Sequence, residues 1–165
     1  AITSTATTDN DGGSVQGNEI FAVATGKDMF FQTRIKNSDV DQSDICVGFT
    51  LNFATNPENM LTATDRIVFQ VDDGDASILC KTEKDGTETS TDSGIDMVDD
   101  TYVKLGISCS GTGTVEFFVN DKLVATHSTN IPDDENLAIA AMSLSGSASG
   151  TRVTTIDYLM GARTR

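Results

Sequence analysis

The chain has 165 residues, with 25 acidic against 11 basic side chains and a formal net charge of −14. A surface of that sign repels nucleic acid and anionic membranes, so neither is expected as a partner. With 38% hydrophobic residues and no apolar run long enough to span a bilayer, the composition suits one globular domain with a sizeable core.

Residues 1–18, AITSTATTDNDGGSVQGN, hold almost nothing to bury and are expected as a polar arm, with 19–165 as a single domain. No charged, apolar and cleavage-site succession opens the sequence, so synthesis without a signal peptide, in a host cytoplasm, is expected. Strand signals then recur in chain order. In KDMFFQTRIK, Met29, Phe31 and Ile35 alternate with Phe30, Gln32, Arg34 and Lys36. In ICVGFTLN, Ile45, Val47, Phe49 and Leu51 share one face. In RIVFQVDD, Ile67, Phe69 and Val71 oppose Arg66, Val68, Gln70 and Asp72. Such period-two patterning predicts strands with one side packed and one side wet.

Between these strands, NPENMLT predicts a single helical turn, with Pro57 early after Asn56. TYVKLGIS sets Val103, Leu105 and Ile107 on one face. TVEFFVNDKLVATH reads as a hairpin turning at Asn120-Asp121, a pair that tolerates the positive φ of a type I′ turn. LAIAAMSL is apolar on both faces, as a covered central strand would be, and TRVTTIDYLM closes the set. Short strands at regular spacing with no helix of useful length predict an all-β, antiparallel two-sheet sandwich of the jelly-roll type.

The chemistry-bearing motifs are few. EKDGTE (83–88) brackets Asp85 with Glu83 and Glu88, a carboxylate grouping that sugar-cleaving β-sandwiches use. Here Lys84, Gly86 and Thr87 stand where core-facing residues should separate the acids, and Asp85-Gly86 is a turn signal. The stretch is therefore read as a hairpin tip with its charges in water, and no catalytic residue is assigned. Cys46, Cys80 and Cys109 have no metal-ligand spacing and read as buried free thiols. His127, the single histidine, reads as a structural residue. GSASG (146–150) has Ala148 where a nucleophile would stand, and SGTGT (110–114) precedes a strand, so neither builds a site. DNDGGS (9–14), SDVDQSD (38–44) and DDGD (72–75) are rich in oxygen ligands, yet none fits a twelve-residue calcium loop. No metal and no cofactor is assigned. Sugar binding through polar loop residues stays open as an alternative.

Three strand phrases carry a family resemblance: FFQTRIKNSDVDQSDICVGFT, RIVFQVDDGD and TYVKLGISCSGTGTVEFFVNDKLVATH. Together they resemble the concanavalin-A-like, laminin-G-like jelly-roll domains. The closing NIPDDENLAIAAMSLSGSASGTRVTTIDYLMGARTR is similar to versions encoded among the virion genes of tailed phages, cyanophages included. That resemblance implies a non-enzymatic capsid decoration (cement) protein on the outer capsid surface. It would be a homotrimer that clamps the major capsid protein. Arg163 and Arg165, with Arg152, are the expected partner-binding residues, because they are basic groups near the end of an acidic chain. The alternative is a lectin-like carbohydrate-binding module on a virion tail or cell surface.

Overall fold

The computed structural model describes residues 1–4, 9–53, 56–146 and 150–164. In chain order its strands are β1 (Ile2–Ser4), β2 (Gly12–Gln16), β3 (Phe21–Ala22), β4 (Asp28–Asn37), β5 (Ser43–Thr50), β6 (Arg66–Asp72) and β7 (Asp75–Lys84). They continue with β8 (Thr87–Asp96), β9 (Val103–Ser110), β10 (Thr114–Val119), β11 (Lys122–His127), β12 (Asn136–Ser145) and β13 (Arg152–Arg163). One antiparallel sheet runs β1–β13–β4–β9–β10–β11. The other runs β2–β12–β5–β6–β7–β8, with β3 on the start of β12. The architecture is the two-sheet jelly-roll sandwich that the strand spacing predicts.

The inner faces supply the core. Phe49 packs against Phe21 at 5.1 Å and Phe31 at 5.8 Å between ring centroids, and Phe69 meets Phe117 edge-on at 5.3 Å. Each such side chain contributes roughly 2–3 kcal/mol by leaving water. β13 comes close enough to the opposite sheet that a Cβ on Gly161 would sit 2.7 Å from atoms of Ile139 and Phe21, so only glycine fits. The hairpin turns are as expected: Asp85 and Gly86, and Asn120 and Asp121, all have positive φ.

Two expectations change. The described parts of the first eighteen residues are not a loose arm: Ile2–Ser4 pair with β13 and Gly12–Gln16 pair with β12, so these segments extend both sheets. Unsatisfied edge groups of those two long strands accept a partner of low hydrophobicity, since backbone hydrogen bonds do not depend on side chains. The second change concerns β5 and β6, which are not wet on their outer side. Cys46, Val68, Ala140, Met142 and Leu144 lie there under Phe53, Met60 and Leu61. The 3-10 turn Pro57–Met60, with the Asn56 side chain accepting from the Glu58 N–H, delivers Met60 onto this face. The seven-stranded sheet is thus covered on both sides along β12, β5 and β6, while the six-stranded sheet has an open outer face.

Candidate functional site

The outer face of the six-stranded sheet holds a groove of about 280 Å³, lined among others by Phe30, Gln32, Gly106, Phe118 and Met160. Register explains how it forms. Met160 pairs with Gln32, Gln32 with Gly106, Gly106 with Phe118, and Phe118 with Leu123, so one row crosses five strands. Phe30 stands in the adjacent row, opposite Ser108 and Ala162. With a strand spacing near 4.8 Å and a rise near 3.4 Å, Phe30 and Phe118 are diagonal neighbours roughly 12 Å apart at their backbones. Gly106 and Ser108, both small, leave the floor between them open.

The apolar character of this face is unusual for a sheet facing water. Phe30, Leu123 and Met160 are 45%, 47% and 54% exposed, half of the large exposed hydrophobics among the described residues. Polar groups rim them. The Tyr158 hydroxyl donates to Gln32 Oε1 at 3.1 Å, and Lys104 donates to Asp121 at 2.6 Å. Arg34 pairs with Asp157 at 2.9 Å while its guanidinium lies 4.1 Å from the centroid of the Tyr102 ring. Both tyrosines of the chain therefore serve this face. The Asp121 hydrogen bond holds the Lys104 ammonium above its ordinary range, so it stays charged at neutral pH. Aromatic walls, an open floor and a rim of donors and acceptors make a surface that can stack a planar or ring-shaped ligand and orient it by hydrogen bonds.

The predicted chemistry falls elsewhere. EKDGTE does turn at Asp85-Gly86 with Asp85 exposed, but Glu83, Lys84 and Glu88 are paired rather than scattered. Glu83 and Glu88 pair across the hairpin and both reach Arg66, at 2.7 and 2.9 Å, and Lys84 bonds Asp133. The missed element is Arg66, which lies two strands from β8 in the sheet order and is brought to both acids by register alone. Its guanidinium also donates to the carbonyls of Met60 and Leu61 and to Gln70 Oε1.

His127 is buried, with Thr82 Oγ1 3.0 Å from Nδ1 and Thr91 Oγ1 3.0 Å from Nε2. Thr82 gives its hydroxyl hydrogen to the Thr129 carbonyl, so Nδ1 donates and Nε2 accepts, which satisfies the neutral ring. Burial pushes its pKa down, as befits a structural residue.

The three oxygen-rich stretches converge at one end of the sandwich. The Asp73 N–H donates to Asp44 Oδ1 at 3.0 Å, the Gly74 N–H to the Asp41 carbonyl, and the Asn10 N–H to the Ser145 carbonyl. Burial, with added repulsion from Asp73, Asp72 and Asp9, raises Asp44 to about 6. Among the described residues no group of three acids, histidines or cysteines has metal-holding geometry.

Of the three arginines, the two that are described, Arg152 and Arg163, are not brought together. Arg152 is buried at one end of β13, donating to Ser145 Oγ at 3.1 Å with Asp39 3.8 Å away. Arg163 is exposed at the other end of the same strand, Arg165 lies outside the described residues, and so does the centre of GSASG. All three cysteines are buried and free.

Compared with known sequence families and with curated proteins, the chain matches none. Solved structures do resemble it in shape. Alginate lyase AlyC3 superposes with a TM-score of 0.68 at 11% identity, over 94% of this chain and 72% of that one. The carbohydrate recognition domain of Emp46p, in its potassium-bound form, gives 0.66 at 10% identity, over 95% and 80%. An endo-1,3-beta-glucanase from Streptomyces sioyaensis gives 0.64 at 9% identity, over 92% and 70%. The shared fold is the concanavalin-A-like jelly roll. It is common to carbohydrate-binding and carbohydrate-active proteins among these neighbours. The expectation of a non-enzymatic chain is corrected on that ground: lyases and a glucanase are built on this same sandwich, so an inert EKDGTE turn does not exclude chemistry on another face.

Proposed function

We propose that the protein binds a glycan along the open outer face of the six-stranded sheet. The groove walled by Phe30 and Phe118 over Gly106 carries the reading. Pyranose rings present flat C–H faces that stack on aromatic rings, while their hydroxyls accept hydrogen bonds from the Gln32 amide and Lys104 and donate to the Tyr158 hydroxyl oxygen. The structural neighbours support this choice, being named for alginate cleavage, 1,3-β-glucan cleavage or carbohydrate recognition.

A glycan array followed by calorimetry tests the reading. Binding of a glycan that is lost in Phe118→Ala and in Gly106→Leu supports it. Binding that survives both variants would move the site elsewhere. Incubating the bound glycan and measuring new reducing ends then decides whether the chain is also cut.

The capsid-decoration role rests on the sequence resemblance alone. The neighbours reported above add nothing to it, and co-sedimentation with capsids is its test.

A further inference from the structure

Of the basic residues that are described, Arg34, Lys36, Arg66, Lys81, Lys84, Lys104 and Arg152 each have a carboxylate within 4 Å. In a chain with 25 acids and 11 bases, that pairing is the expected state of a cation. Lys27, Lys122 and Arg163 have no ion pair among the described residues. Two of the three, Lys27 and Arg163, line one cavity of about 470 Å³ with Ala22, Ala24 and Thr164. Two like charges line this one cavity, neither with a counter-ion among the described residues of an otherwise anionic protein, and a single bound anion can answer both.

The placement ties this cavity to the groove. Gly161 and Ala162 line the groove, and Arg163, the last residue of β13, and Thr164 just after it line the cavity. Alternation turns Arg163 to the same side as its register partner Met29, away from Phe30 and Ala162, so a chain-like ligand meets the cationic pair where it runs out of the groove past the end of the sheet. The local backbone is fixed rather than frayed. The Thr164 N–H donates to the Asp28 carbonyl at 2.9 Å, and its hydroxyl accepts from the Asp28 N–H at 2.8 Å. Asp28, the carboxylate nearest in sequence, pairs in register with Ser110 and does not line the cavity.

We infer that Lys27 and Arg163 form an anion subsite, and that the preferred ligand is an acidic glycan whose carboxylate sits between them. The inference rests on the glycan-binding reading and adds the charge class of the ligand. Arg163 supplies a planar fork that takes a carboxylate at two oxygens, and Lys27 supplies a point charge on a flexible stem. Each contact is weak because both side chains are exposed. Repetition of the carboxylate along a polymer raises the effective concentration at the pair.

The experiment is a nuclear magnetic resonance titration of the isotope-labelled chain with a hexamer of galacturonic acid and, separately, with neutral cellohexaose. The amides of Lys27 and Arg163 and the Arg163 Nε–H report on the subsite, and the Gly106 amide reports on the groove. Expected is a saturable shift at Lys27 and Arg163 with the acidic hexamer only, weakened by salt. The double variant Lys27→Gln/Arg163→Gln should lower its affinity about tenfold and leave that for cellohexaose unchanged. Lys122→Gln, the third unpaired cation, should change neither.

If the subsite signals stay silent or fail to saturate, the anion subsite is overturned, whatever Gly106 does. A loss in Lys122→Gln as large as in the double variant also overturns it, since that outcome reports general attraction. If the subsite responds while Gly106 does not move with either sugar, the groove reading fails and the subsite stands.

Discussion

The Arg66 guanidinium donates to the carbonyl of Leu61 at 2.6 Å, fastening the segment that roofs the seven-stranded sheet to the sheet itself. The same side chain, 4% exposed, neutralises Glu83 and Glu88. Arg66→Ala should therefore cost about 3–5 kcal/mol, because it leaves Glu83 buried without its partner and releases the roof. Urea denaturation measures the loss, and hydrogen exchange should show the Leu61 amide among the sites that speed up most. Unchanged protection at Leu61 would mean that Met60 and Phe53 hold the roof without the clamp.

Gly106→Val separates binding from folding. The backbone there is ordinary strand, and an added Cβ lies 3.7 Å from Phe118 Cβ, a normal contact. A β-branched residue in a strand should leave stability unchanged or raise it by about 0.5–1 kcal/mol. Its methyl groups fill the groove floor, so glycan affinity should fall at least about tenfold. A melting curve and a calorimetric titration on the same sample check both halves.

Asp44 gives the fold a pH dependence of known sign. Its folded pKa, raised by burial to about 6, exceeds the ordinary aspartate value of 3.8, so the folded state holds the proton more tightly. Stability from this group is complete below about pH 4 and is lost as pH rises through 6. Asp44→Asn keeps an oxygen for the Asp73 N–H and removes the charge. The variant should be more stable than the parent by on the order of 2–3 kcal/mol at pH 7.5, with the gap closing near pH 4. Taking the difference between the two proteins cancels His127, whose lowered pKa acts in the opposite sense. A gap independent of pH would show that the shift is absent.

Cys46, Cys80 and Cys109 should be silent in the native state. Burial pushes each thiol up to about 12, so almost no thiolate exists at neutral pH and no reagent reaches the sulfur. An aromatic disulfide reagent should react with none of the three in buffer and with all three in denaturant. A fast native reaction at one of them would reveal local opening of its strand.

Much of this was legible in strand alternation. Each Phe-Phe doublet, 30–31 and 117–118, must send one ring inward and one outward. Phe31 and Phe117 are core, and Phe30 and Phe118 are the groove walls. The turns at Asp85-Gly86 and Asn120-Asp121 were readable because positive φ restricts composition. The roof was not readable: Phe53, Met60 and Leu61 lie in a connection with no period, so nothing local says which face they will cover. Alternation puts Arg66 on the outer side of β6, yet its link to Glu83 and Glu88 depends on sheet register. The paired edges β1 and β2 were hidden because main-chain hydrogen bonding leaves little trace in side-chain hydrophobicity. The charge count told of an acidic surface, whereas the unpaired cations Lys27 and Arg163 become visible only when the ion pairs of the other bases are laid out in the fold.

The roof also decides how the molecule can be handled. Asn59 is exposed on the segment that covers the seven-stranded sheet, on the opposite side of the sandwich from the groove. Since the three native thiols are sealed, a cysteine introduced at Asn59 would be the one that maleimide sees. A chip, bead or dye attached there turns the working surface outward, and every molecule on the support is presented in the same orientation.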